Sequence, residues 1–292
     1  MEIYTKLCNQ CSLIKTLDLF NKHPRGKYGA NGKCKSCGSK NRKDKYISKA
    51  IIYNRVGEKY ITKEGYEIEI VRYGNSHDCD VLFLNGGHIV SSKYYREIIN
   101  GSIKNPFHKS VFGVGYFGQG RFSSDKNKNA YRTWINVLQR GYYQEYKLKN
   151  PSYKGCSVAE KWHNFQNFAK WFEENYVEGW HLDKDILVKG NKIYSPETCC
   201  FVPREINNLF IIYNRKRGNL PIGVRKEVGY SARLNKKGKN IHLGTFTTIK
   251  EAFNAYKVAK EIYIKEMANE WRCQINSSVY EALVNYKVEI TD

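Results

Sequence analysis

An α+β fold assembled from several modules is what this sequence predicts, and three observations predict it. Two Cys-x-x-Cys pairs are confined to the first forty residues. Apolar residues alternate with period two between residues 58 and 118 and again after residue 223, the spacing of half-buried strands. Between those stretches aromatic residues recur at three and four positions, the spacing of a helix face. A chain of 292 residues is long enough for two or more such modules.

Composition then restricts the function classes. Lys and Arg outnumber Asp and Glu by 49 to 28, a net charge of +21. Such a surplus points to a polyanion, because each phosphate neutralised releases condensed counterions. The charge is uneven. Residues 1–50 hold twelve basic and three acidic side chains, and residues 216–266 hold twelve and four. Residues 58–118 hold seven of each, which leaves protein contact or a spacer role as open there as nucleic-acid binding. No apolar run reaches the 18 or more residues of a membrane span, and the opening Met1 to Lys6 has no signal-peptide pattern, so the expected location is cytoplasmic with no membrane partner.

The N-terminal module, residues 1–47, is set by Cys8-x-x-Cys11 and Cys34-x-x-Cys37, separated by twenty-two residues. Each short loop lets two thiolates reach one tetrahedral Zn(II). Phe20 and Tyr28 are its expected apolar cluster, too small to hold so short a module without a metal. The basic run after it, with Lys40, Arg42 and Lys43, is expected to form a helix that rests on phosphates. Its cysteine pattern resembles the treble-clef and zinc-ribbon fingers of phage endonucleases, which implies a structural, DNA-contacting finger.

After a linker at 48–57, a small β-rich domain is expected over 58–118, with strands at 66–71 and 80–84 and a hairpin at Gly86-Gly87. His77, His88 and His108 lack metal-ligand spacing. Residues 119–215 begin with a helix carrying Trp134, Val137 and Leu138 on one face. A second helix, 158–176, carries Trp162, Phe165, Phe168, Ala169, Phe172 and Tyr176, read as core. An acidic cluster that includes Glu173, Glu174, Asp183 and Asp185 lies in this otherwise basic stretch and suits a cation site. Beyond it the layout is strand, turn, strand and helix, running from Asp183 through Gly190 to Asn207. Cys199 and Cys200 have no second pair nearby and read as buried thiols.

Tyr131-x-x-Trp134, Arg140-x-Tyr142, Trp162-x-x-Phe165-x-x-Phe168, Leu182-Asp183-Lys184-Asp185 and Gly190-Asn191-x-x-Tyr194-Ser195-Pro196-Glu197-x-Cys199 together resemble phage HNH (His-Me finger) homing-type endonucleases. The resemblance implies a ββα-metal domain and a divalent ion, Mg(II) or Mn(II), held by Asp183 and Asn207. Lys184 departs from the pattern by standing where the histidine base is expected. Beside Asp183 and Asp185 it is expected to keep its proton, which suits a phosphate clamp better than a base. His181, two residues back on the same strand face, and His163, from the preceding helix, are the candidate replacements.

The last module, 216–272, reads as strands at 223–226, 229–234 and 241–246 with a turn at 236–240. A helix follows, capped by Thr248 with Glu251 and turning Ala252, Ala255, Tyr256 and Ala259 inward. This order resembles integrase-type, ethylene-response-factor DNA-binding domains, which lay the sheet in the major groove. By that resemblance Arg225, Lys226, Tyr230, Arg233 and Lys239 contact phosphates and bases. Residues 273–292 read as a tail. The combined expectation is a double-stranded DNA endonuclease with structural zinc, whose β-rich domain is open to a host protein. The alternative is a DNA-binding or regulatory protein built on a disabled nuclease.

Overall fold

A computed structural model describes residues 4–39, 54–211 and 220–292 of the chain. The basic run with Lys40, Arg42 and Lys43 and most of the 48–57 linker lie outside the described residues. The fold is α+β, with several small sheets, and it divides into two compact units, Met1–Asn105 and Pro106–Asp292. Among the described residues no helix is long and apolar enough to cross a membrane.

In the first unit, β1 (Thr5–Leu7) pairs antiparallel with β2 (Ile14–Thr16), and β3 (Phe20–Lys22) with β4 (Ala30–Cys34). Phe20 and Ala30 are buried against Cys8 and Cys34. Tyr28 does not join them. Its backbone takes a left-handed turn conformation (φ 60°) and its ring is 59% exposed, so Ala30 fills the place expected for it. The second sheet is an antiparallel meander of β5 (Lys59–Ile61), β6 (Glu67–Asn75), β7 (Asp78–Phe83) and β8 (His88–Lys93), followed by α1 (Tyr95–Ile99). Alternation along β6 and β7 buries Ile68, Ile70, Val81 and Phe83 on one side with Ile98. Gly86-Gly87 turns between β7 and β8, as expected. Arg72 holds Asp78 and Asp80 across the strands, 2.6 and 2.5 Å away.

The β-rich domain ends earlier than residue 118. Val111, Val114 and Phe117 pack on the aromatic core of the second unit. Backbone bonds tie Tyr116 into it as well, from Tyr116 N–H to His163 O and from Phe165 N–H to Tyr116 O, both 2.9 Å.

That core forms between α2 (Lys128–Tyr142) and α4 (Phe165–Asn175), with the short α3 (Gln144–Lys149) and β9 (Ser157–Val158) between them. Trp134, Val137 and Leu138 meet Phe165, Phe168 and Phe172, so the aromatic spacing is core spacing. The indole of Trp134 donates to the carbonyl of Trp162 at 2.7 Å, which pairs a polar atom the ring would otherwise bury unpaired. Helix α4 starts seven residues later than the sequence spacing predicts. Asn164 caps it by accepting from Gln166 N–H at 2.9 Å, while Val158 is drawn into a strand pair with Tyr194.

The strand after Gly190 is likewise not the partner of the strand before it. β10 (His181–Asp183) pairs antiparallel with β12 (Cys200–Val202), whereas β11 (Ile193–Tyr194) crosses to run parallel to β9. The strand, strand and helix order is completed by α5 (Arg204–Asn207). The C-terminal sheet follows as β13 (Val224–Lys226), β14 (Tyr230–Lys236) and β15 (Lys239–Phe246). Its two-residue turn, Lys237-Gly238, has positive φ at both positions, the geometry that fits tight hairpins. Helix α6 (Ile249–Glu270) carries the expected Thr248/Glu251 capping box.

Residues 273–292 are not a tail. Helix α7 (Ser277–Val284) and the segment after it bury Val279, Leu283 and Val288 in the core of α6 and the C-terminal sheet, and that core also contains Val202, Ile206 and Leu209. Lys189 donates to Lys287 O (2.7 Å) and pairs with Asp292. The two segments read from sequence as separate domains, 119–215 and 216–272, therefore share one core. Leu283→Ala is expected to cost about 2–5 kcal/mol, measured by urea denaturation, because Leu283 is buried.

Candidate functional site

The alternation of β10 sends His181 and Asp183 to one side and Leu182 to the other, where it packs against the aromatic core. Further along the chain, α5 places Ile206 in the C-terminal core, and the next residue, Asn207, lines the same cavity as β10. His181, Asp183 and Asn207 thereby line one cavity of about 320 Å³, together with Lys184. Facing them, α2 contributes Thr133, Asn136 and Arg140, a polar stripe at spacings of three and four. Four of the five candidate catalytic residues are thus brought together.

His163 is the exception and does not line this cavity. Its Nε2 lies 2.8 Å from the Tyr142 hydroxyl, and burial pushes its pKa down from the usual histidine value. Tyr142 in turn donates to Val158 O at 3.0 Å, so the histidine belongs to the packing between α2 and β9.

Asp183 accepts backbone N–H bonds from Asp185 and Ile186 on the same oxygen, Oδ1, at 2.6 and 2.8 Å. It therefore caps the turn that leaves β10. Its other oxygen accepts no hydrogen bond among the described residues. Burial pushes the carboxyl pKa up, against the opposing effect of the two N–H bonds.

Lys184 is not free to clamp a phosphate. It is 5% exposed, and its three ammonium protons are used 2.7 Å from each oxygen of Asp185 and from the carbonyl of Asn191. The Asn191 side chain returns a bond to Lys184 O at 2.9 Å. Lys184 is the strut of the 184–191 loop. Its ion pair is balanced within the protein, which is what a buried ammonium requires.

Asp183 and Asn207 together offer oxygen donors, but no group of three or more His, Cys, Asp or Glu side chains able to hold a metal forms at this cavity among the described residues. Asp183 and Asn207, whose amide has no partner among the described residues, both line the cavity. Cys199 and Cys200 take no part. Burial raises both thiols, Cys199 to about 12, and neither belongs to a metal-ligand cluster among the described residues.

In the first unit Cys8, Cys11, Cys34 and Cys37 converge, with all four sulfurs within 4.8 Å of one another, a cluster that can hold a metal ion such as zinc. A tetrahedral zinc with bonds of about 2.3 Å has sulfurs roughly 3.8 Å apart, a separation that lies inside that bound. The Cys34 backbone N–H points at Cys8 Sγ, 3.2 Å away. Ser36 and the Cys37 backbone bring Cys34 down to about 5, which favours a thiolate. Lys15 Nζ lies 3.4 Å from Cys34 Sγ.

The C-terminal sheet divides its five expected contact residues between its two faces. Ala232 and Leu234 are buried under α6, so Ser231, Arg233 and Asn235 face the other way. Arg225, opposite Ser231, shares that free face, as do His242 opposite Arg233 and Asn240 opposite Asn235. Tyr230 packs on the helix side, and Lys226, its cross-strand partner, holds its ammonium 4.1 Å from that ring. Lys239 is exposed at the hairpin end opposite Lys236, whose ammonium pairs with Glu266 of α6. Arg233 is held by Glu227 (2.7 Å) and Ser231 Oγ (3.2 Å).

Comparison of the chain with protein-family models, curated proteins and solved structures gives no match. What the sites do is therefore argued from their own chemistry. Arg140, Asn136 and Tyr153 were not among the candidate site residues. The polar spacing 133, 136, 140, which flanks the apolar stripe of α2 beside Val137, is the signal that points to the first two, whereas Tyr153 lies outside that helix.

Two outcomes follow from these geometries. Asp183→Asn keeps an acceptor for the two N–H bonds and removes a charge that burial disfavours. A carboxyl whose folded pKa is raised loses stability as pH rises from its ordinary value through the raised one, so the variant is expected to have the higher Tm at pH 7. The advantage shrinks as pH falls toward the ordinary carboxylate range. The melting curve moves by about 2–4 °C for each kcal/mol recovered. Metal analysis of purified protein is expected to find one zinc per chain and none in Cys34→Ser, with residues 4–39 becoming protease-sensitive in that variant.

Proposed function

We propose that this chain binds double-stranded DNA and hydrolyses its phosphodiester bonds at the His181, Asp183 and Asn207 cavity with the help of Mg(II) or Mn(II), as a phage-type HNH endonuclease does. The observation that carries the proposal is that a histidine, a carboxylate oxygen and a carboxamide, the last two without partners among the described residues, border one cavity opposite an arginine. Asp183 Oδ2 and the Asn207 amide oxygen would hold the ion, which stabilises the leaving oxygen when bound. His181 takes the proton of the attacking water. The water oxygen bonds to phosphorus as the bond to the leaving deoxyribose oxygen breaks, and that oxygen then takes a proton from solvent. Lys184 has no part in proton transfer in this scheme and keeps the loop in place.

Basic residues at both ends of the chain support the choice of DNA. Arg225 and Arg233 on the free sheet face, with the cross-strand pair Asn235 and Asn240, offer side chain types that read guanine and adenine edges in a major groove. The four-cysteine cluster, as a structural zinc site, would present Lys40, Arg42 and Lys43 to phosphates, and the charge-neutral β domain would be left for a protein partner.

A second reading is favoured by Lys184. The position expected to carry a histidine base holds a buried, fully bonded lysine, so a protein that holds DNA without cutting it is the alternative. Supercoiled plasmid with Mg(II) or Mn(II) separates the two. The expected product is nicked circles, abolished by chelation and slowed about 10²–10⁴-fold in His181→Ala. Binding without nicking in either metal would establish the second reading.

A further inference from the structure

Arg140 stands in the cavity wall without an anion. Its guanidinium lies 5.2 Å from the Tyr153 ring and 3.4 Å from the Tyr194 hydroxyl, and no carboxylate among the described residues pairs with it. It is half-buried, and a guanidinium withdrawn from water without a counter-charge is costly unless an anion joins it. Both neighbours leave its fork directed by aromatic surface and one hydroxyl, whereas the buried cation across the cavity, Lys184, is already neutralised by Asp185. Asn136, exposed on the same helix face one turn before Arg140, adds an amide without a partner among the described residues.

We infer that Arg140 is the phosphate-receiving group of this cavity, with Asn136 donating beside it. The inference rests on the proposed phosphodiester site and names where the backbone phosphate sits. A planar guanidinium offers two parallel N–H donors to two phosphate oxygens, which a lysine would not. The placement also sets the phosphate between Arg140 and the oxygens of Asp183 and Asn207, with His181 on the cavity wall beside them.

The test measures duplex binding by fluorescence anisotropy over a range of salt for the full chain and for Arg140→Met, Arg140→Gln and Arg140→Lys. Loss of one phosphate contact is expected to make the slope of log K against log salt shallower by about 0.9 and to weaken low-salt binding several-fold in the Met and Gln variants. Arg140→Lys is expected to restore the slope while cutting more slowly than the unaltered chain. Thermal denaturation with inorganic phosphate identifies the source of the anion. A phosphate-dependent rise in Tm, lost in Arg140→Gln and accompanied by an unchanged duplex slope, assigns the site to free phosphate. An altered slope assigns it to DNA. An unchanged slope together with no phosphate effect on Tm overturns the inference, and Arg140→Lys, expected to nick more slowly at an unchanged slope, keeps it falsifiable even if the neutral variants fail to fold. The outcome is separable from the cleavage reading. A plasmid that is never nicked with a slope that still changes removes cleavage and leaves the phosphate site, whereas nicking that is indifferent to Arg140 does the reverse.

Discussion

Burial of Val202, Ile206 and Leu209 in the core they share with α6 and α7 is the constraint on which the candidate site depends. Helix α5 spans four residues, too few to hold itself in water, because a short helix gains few backbone bonds for the residues it orders. It is held by its apolar side. With Ile206 fixed inward and β12 paired antiparallel with β10, Asn207 and Asp183 come to line one cavity. The C-terminal helices thus act on the cavity without lining it. A segment read from sequence as a separate module also serves as the foundation of its neighbour.

Electrostatics around β10 follow a consistent division. The cation at 184 is spent inside the protein, on Asp185 and Asn191, and stiffens the loop between the strands. Asp183 and Arg140 are each drawn out of water without a full complement of partners. Such arrangements cost stability and are retained where a ligand supplies the missing partner. A divalent ion would relieve Asp183 and a phosphate would relieve Arg140, so each would make room for the charge of the other. His163, by contrast, is held by Tyr142 outside the cavity, and its depressed pKa reflects burial.

Much of the architecture was legible because it follows from local rules. Alternation placed β6, β7, β14 and β15, the turn between the last two fell within 236–240, and Thr248 with Glu251 closed the helix start. The cysteine spacing placed four thiols in one cluster. Boundaries were less legible, since they depend on which surface an apolar segment covers. Residues 106–118 go to the aromatic core and residues 273–292 to the C-terminal one, and neither destination leaves a trace in local periodicity. The parallel pairing of β11 with β9, which displaced the start of α4, is non-local for the same reason.

At the site, strand parity in the sequence by itself determined that His181 and Asp183 share a face, and the charge balance made a polyanion the partner to seek. Which side of the C-terminal sheet each cation occupies was also implicit in its parity, yet it needed the helix to say which face is covered. Tertiary structure alone decided that Lys184 is a strut, that His163 is remote from the cavity, and that Arg140 faces Asp183 and Asn207. The physical reason is that a side chain's role depends on whether its charge is balanced and its donors are spent. Those partners come from segments far apart in the chain, as Tyr194 does for Arg140, and only folding brings them within reach.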